Sequence, residues 1–216
     1  MALSKDSTKQ EIYSELLKRT GYKDDQIIEA YMYGSRVYGN SRSDSDWDFI
    51  VIVKANQIHT EQFSDNLINV NFYYPYQHHQ RINEHEPSAM ECVFLPEQFI
   101  IKMEHPDFYK SFKPDLVKLR HSFSAKSSNS WVKAKKKLTV PESYNDSVGK
   151  KSLWHSIRII DFGIQIATNG FISNYGSCND FYDEIMYCND WSELFEKYKK
   201  RYNAILTEFR KHAKKE

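Results

Sequence analysis

The stretch YMYGSRVYGNSRSDSDWDFIVIV, Tyr31 to Val53, places a Gly-Ser turn ahead of two aspartates, Asp46 and Asp48, that open a run of apolar residues. Ionised carboxylates at the mouth of a buried strand are costly unless a cation or hydrogen-bond donors compensate, and two of like sign on one face repel each other. In an extended strand alternate side chains point the same way, so Asp46 and Asp48 share a face, about 7 Å apart along the chain. That spacing suits one or two shared divalent cations. The following FIVIV, Phe49 to Val53, is apolar on both faces. Such a run marks a central strand and mounts the pair on a rigid element.

Upstream, Tyr31-Met32-Tyr33 reads as a short strand that ends at Gly34-Ser35. Gly34 lets a backbone N–H approach an anion closely, and Ser35 adds a hydroxyl donor. Mg²⁺ takes one or two carboxylates and completes its octahedron with water and phosphate oxygens. Turn and pair together therefore predict a clamp for Mg²⁺ (or Mn²⁺) and a nucleoside triphosphate. Arg36 and Arg42 lie between them, placed either to reach phosphates or to balance Asp44.

The order and spacing of Tyr33, Gly34-Ser35 and Asp46-Trp47-Asp48 resemble the nucleotidyltransferases of the DNA polymerase β superfamily. The fuller string GSRVYGNSRSDSDWD is similar to the minimal and the RNA-repair-associated members of bacteria and phages. AMECVFLP, Ala89 to Pro96, and GKKSLWHSIRIIDFGIQIATNG, Gly149 to Gly170, resemble further segments of that subgroup more weakly. The resemblance implies metal-dependent transfer of a nucleotide from an NTP to a hydroxyl, with release of pyrophosphate. Asp46 and Asp48 are then the metal ligands, and Gly34, Ser35 and Arg36 face the triphosphate. A basic residue on a helix beyond the catalytic strands often meets the triphosphate in this superfamily, and Lys151 and Arg158 are the candidates: on a helix they fall with His155 on one polar stripe, opposite an apolar face of Leu153, Ile157, Ile160 and Ile164. Superfamily enzymes usually carry a third acid on the next strand. Here that strand reads Asn69-Val70-Asn71, so either an asparagine takes the third place or a carboxylate from elsewhere substitutes. Glu91 is the candidate catalytic acid, because an unpaired carboxylate within an apolar segment would be expensive.

The acceptor is less legible. An RNA or DNA 3′ end, a protein hydroxyl and a small molecule all suit the same carboxylate core. A nucleic-acid end requires a basic surface. Five lysines between Lys126 and Lys137, with Trp131 among them as a base-stacking candidate, and the Lys/Arg-rich C-terminal segment offer one, which tilts the reading toward RNA. The alternatives are a protein-modifying transferase and an inactive nucleotide- or RNA-binding module, the latter favoured by the missing third acid.

With 216 residues, a net charge of +1 and 15% aromatic residues, the chain reads as folded, with no global field drawing it to nucleic acid. MALSKDSTKQ lacks the apolar core of a signal peptide and no run is long enough to span a membrane, so an intracellular, cytoplasmic protein is expected. Cys92, Cys178 and Cys188 show no paired spacing and read as buried thiols. His78, His79, His85 and Cys92 straddle a stretch that reads as loop and irregular helix, poorly suited to zinc.

STKQEIYSELLKRTG reads as an amphipathic helix capped by Ser7 or Thr8 and ended by Gly21. Strands are expected at Ala30–Tyr33 and Asp48–Val53, and NLINVNFYY alternates Ile68, Val70, Phe72 and Tyr74 against Asn69, Asn71 and Tyr73. After Pro114 the pattern turns helical, with DLVKLRHSF and NSWVKAKKKL read as separate stretches on either side of Lys126. The expected architecture is α+β: a small mixed-sheet nucleotidyltransferase core over 1–110, then a helical domain over 111–216.

Overall fold

The computed structural model describes residues 3, 4, 6–54, 61–106, 109 and 111–214. The chain opens with helix α1, Lys9–Thr20. Thr8 caps it in a reciprocal capping box with Glu11, and Gly21 closes it in the left-handed conformation. Ile12 and Leu16 are its buried apolar residues.

Strands β1, Ile27–Tyr33, β2, Trp47–Val53, β3, Gln62–Ser64, β4, Ile68–Tyr73, and β5, Ile100–Lys102, form one sheet in the order β3-β4-β2-β1-β5. Among the described residues β2 and β4 pair in parallel and the other pairs are antiparallel, so the sheet is mixed. The apolar run after Asp48 is the central strand, and Phe49 to Val53 are all buried. β4 buries Ile68, Val70 and Phe72 and turns Asn69, Asn71 and Tyr73 to the other face, as its alternation predicts. The short edge strands β3 and β5, of three residues each, carry too little pattern to be read from sequence.

Between β1 and β2 lies the one-turn helix α2, Ser35–Tyr38. Helices α3, Pro75–Asn83, and α4, Pro87–Val93, follow β4. The histidine-rich segment expected to be irregular is thus a regular helix over much of its length, with His78 buried in it.

Four helices make up most of the rest: α5, Leu116–Thr139, α6, Asp146–Asn169, α7, Asn179–Tyr187, and α8, Trp191–His212. The two helical stretches read separately around Lys126 are one continuous helix, α5, opened by Asp115 accepting from the backbone N–H groups of Val117 and Lys118. The element order is α+β, strands first and helices last.

The chain clusters into two compact units, one of Met1–Asn83 with Ala89–Phe112 and one of Glu84–Ser88 with Lys113–Glu216. Within the second, α6 packs against α5, α7 and α8 and is buried on more than one face. Trp131 of α5 is only 8% exposed, stacked on Tyr202 at 4.5 Å and meeting Trp191 edge-on at 5.8 Å. It is a core residue of that unit, which corrects its reading as an exposed base-stacking platform.

Candidate active site

The strand register assembles the site. Tyr33 pairs with Asp48, Asp48 with Asn69, and Asn69 with Ser64, so these four side chains form one row across β1, β2, β4 and β3. Directly opposite residues share a sheet face. The face beside Asp48 therefore carries asparagine. The neighbour of the aspartates is Asn69; Asn71 lies one step along, opposite Ile50.

Asn69 Nδ2 donates to Asp46 Oδ2 and to Asp48 Oδ1, each at 3.1 Å. One donor reaches both carboxylates, so an oxygen of each converges on a common point. Ser64 Oγ donates to Asn69 Oδ1 at 2.5 Å. Oxygens from two carboxylates converging in this way fit a hard divalent cation, which takes oxygen ligands. Among the described residues no group of three or more His, Cys, Asp or Glu side chains is placed to hold a metal.

Gly34 leaves β1 with φ 76° and ψ −155°, a region open essentially to glycine alone. A Cβ there would be driven into Asp48, 2.9 Å from its Cγ and closer still to Oδ2. The glycine thus lets the backbone turn against the carboxylate. Its carbonyl accepts from the N–H groups of Val37 and Tyr38, which folds the GSRVY segment into α2. Ser35 is the first residue of that turn, where a backbone N–H has no intrahelical acceptor.

Arg36 grips the loop that bears Asp46. Its Nη2 donates to the Ser45 carbonyl at 2.5 Å, its Nε to the Asp46 carbonyl at 3.3 Å, and its guanidinium lies 3.9 Å over the buried ring of Trp47. Burial lowers the Arg36 pKa, and the nearby charges of Asp48 and Asp46 oppose that shift. Its observed partners are protein carbonyls rather than an open phosphate position. This division of labour, with Trp47 as the platform, was not legible from spacing.

Glu91, on α4, is 2% exposed and accepts a hydrogen bond from Tyr38 Oη at 2.7 Å. Tyr38 meets Tyr33 edge-on at 5.9 Å, and Tyr33 stands opposite Asp48. Glu91 is therefore linked to the aspartate row through two tyrosines on residues adjoining the glycine turn. The purpose suspected from its apolar surroundings includes at least this hydrogen bond.

Residues 15–102 match the family described as polymerase beta, nucleotidyltransferase. Over those residues the chain resembles the nucleotidyltransferases of the DNA polymerase β superfamily. Among solved structures, a nucleotidyltransferase-like protein from Exiguobacterium sibiricum aligns at 12% identity over 95% of this chain and 73% of that one, with a TM-score of 0.32. A spectinomycin adenyltransferase from Enterococcus faecialis, solved with ATP and spectinomycin, aligns at 13% identity over 97% and 100%, with a TM-score of 0.41. No curated protein matches the chain.

Gly34, Ser35, Arg36, Asp46, Asp48 and Glu91 all lie within the matched residues. Lys151 and Arg158 stand outside that match, on α6. The spacing that put them on one polar stripe is corrected by the packing: Lys151 is exposed, whereas Arg158 is 2% exposed. The Arg158 guanidinium lies 4.9 Å from the Phe162 ring and shares a 3.2 Å hydrogen bond with His155 Nδ1. Among the described residues, no helix is long and apolar enough to cross a membrane.

Proposed function

We propose that this protein is a divalent-cation-dependent nucleotidyltransferase that moves an NMP from an NTP to the 3′ hydroxyl of an RNA end. The observation that carries the reading is the convergence of Asp46 Oδ2 and Asp48 Oδ1 on one position, beside a glycine whose missing Cβ makes room for Asp48. Asp46 and Asp48 would hold Mg²⁺ or Mn²⁺, which when bound neutralises triphosphate charge and lowers the acceptor hydroxyl's pKa. The backbone at Gly34 and the Ser35 N–H and hydroxyl bind the β- and γ-phosphates. Arg36 holds the Asp46 loop in register through the Ser45 and Asp46 carbonyls. Glu91 takes the acceptor proton, oriented by Tyr38. Transfer proceeds by in-line attack of the acceptor oxygen on the α-phosphorus, with pyrophosphate leaving.

In this reading 1–110 form the catalytic domain and 111–216 a helical accessory domain. RNA is favoured by the exposed Lys126, Lys133 and Lys136 of α5, which fall on one side of that helix and suit phosphates. A second reading, a nucleotide-binding module without turnover, is favoured by one observation: an amide occupies the place opposite Asp48.

The test is incubation with each α-radiolabelled NTP, Mg²⁺ or Mn²⁺, and RNA, protein or small-molecule acceptors. Label on RNA that disappears in Asp46→Asn and Asp48→Asn supports the proposal. Label on protein or a small molecule redirects the acceptor, and no pyrophosphate release with any NTP and metal selects the inactive module.

A further inference from the structure

The polarity of the Ser64, Asn69, Asp48 row is fixed by its chemistry. Two carboxylates only accept hydrogen bonds, so the Asn69 amide must turn its nitrogen toward them, and its carbonyl then faces the other way. A hydroxyl that can donate lies on that side: Ser64 Oγ is 2.5 Å from Asn69 Oδ1. An acid at position 69 would add a third negative charge and present no donor. An apolar residue would leave two like charges facing each other. The amide alone among these can bridge the pair, and Asn69 does so with two 3.1 Å hydrogen bonds.

We infer that Asn69 is a positioning residue that acts as an internal stand-in for the divalent cation, holding both aspartates in the metal-free protein and yielding their oxygens when a cation binds. The inference rests on the reading of Asp46 and Asp48 as cation ligands. Its consequence is a raised threshold for metal. A cation entering the site must displace the two amide hydrogen bonds, so the pair binds metal more weakly than two unbridged carboxylates would. Ser64 belongs to the device because it holds the amide in the blocking orientation.

The experiment measures Mn²⁺ affinity by electron paramagnetic resonance or calorimetry, without NTP, for the wild type, Asn69→Ala and Ser64→Ala. Removal of the amide is expected to tighten Mn²⁺ binding about tenfold, the equivalent of one net hydrogen bond to a charged group. Ser64→Ala, at an exposed position, is expected to shift affinity in the same direction by freeing the amide to turn. Unchanged or weaker binding in both variants overturns the inference, since a residue that only packs the strand, or that ligates the metal, gives that result. A second arm needs no metal: in excess EDTA, the stability lost by Asn69→Ala should shrink when Asp46→Asn has already removed one of the two charges. Equal losses in both backgrounds overturn the bridging role. Mn²⁺ binding to neither wild type nor variant overturns the metal reading of the aspartates and this inference together; wild-type binding without a gain overturns this inference alone.

Discussion

Gly34 and Asp48 are packed so closely that a β-carbon on the glycine would lie 2.9 Å from the aspartate Cγ. The two residues come from β1 and β2, which pair Tyr33 with Asp48, so the glycine sits one step past the last residue in register. A turn that must bring its backbone against a carboxylate has no room for any other residue. The same closeness gives the backbone access to whatever the carboxylate binds.

Gly34→Ala is therefore expected to be damaging twice over. The φ of 76° with ψ −155° is strained for any residue with a side chain, and the overlap with Asp48 must be relieved by moving one strand end. Together these should cost roughly 2–4 kcal/mol of stability. Chemical denaturation measures the loss, and Mn²⁺ titration of the folded fraction should show weakened binding. A variant as stable as the wild type, with unaltered Mn²⁺ affinity, would show that the turn does not shape the site.

Glu91 and Tyr38 give a second test. Glu91→Gln keeps an acceptor for the Tyr38 hydroxyl and should fold, yet it cannot take a proton. If Glu91 is the base, turnover falls by about 10²–10⁴ and the acidic limb of the pH–rate profile disappears. Tyr38→Phe leaves the carboxylate one donor short and should cost about 1–3 kcal/mol, with the acidic limb displaced rather than lost. An unchanged pH–rate profile in Glu91→Gln would leave the residue a purely structural acceptor.

The sequence made the central parts of this site legible because they are local. Gly34-Ser35 and Asp46-Trp47-Asp48 are read within a short window, and the apolar run after Asp48 could be little other than a central strand. What stayed hidden depends on register and packing. Nothing in the alternation of β4 says whether Asn69 or Asn71 stands opposite Asp48; the parallel pairing decides it. The Arg36 clamp requires the loop to fold back over Trp47, and the Tyr38–Glu91 hydrogen bond joins positions 53 residues apart. On α6, helical spacing gave a core face of Leu153, Ile157, Ile160 and Ile164, of which the first three are fully buried and Ile164 is half-buried. It failed for Arg158, because a helix packed against three others has no single outer face.

Lys151 and Arg158 should consequently behave differently. Arg158→Ala removes a buried side chain that lies over Phe162 and bonds His155, and should destabilise by about 2–4 kcal/mol whatever its role toward nucleotide. Lys151→Ala, at an exposed position, should change stability by less than about 0.5 kcal/mol. If Lys151 meets the triphosphate, its loss raises the KM for NTP about tenfold, one charge-assisted hydrogen bond. An unaltered KM in Lys151→Ala returns that residue to the solvent.

His155 supplies the pH prediction. Its pKa is held well below the ordinary 6.5, chiefly by burial and then by the positive charges of Arg158, Lys133, Lys151 and Lys126. The folded protein therefore keeps the imidazole neutral in a range where the unfolded chain has already bound a proton. The unfolded state binds more protons there, so stability rises with pH through that window. The contribution is complete above the unfolded value of about 6.5 and is lost as pH falls below it toward the folded pKa. Urea denaturation at a series of pH values, followed by fluorescence of Trp154, whose ring lies 4.9 Å from the imidazole, should show stability falling on acidification. His155→Asn, which preserves an acceptor for Arg158 but does not titrate, should flatten that dependence. An imidazole that titrates near 6.5 by NMR in the folded protein, or an equal acid slope in the variant, would remove His155 as the cause.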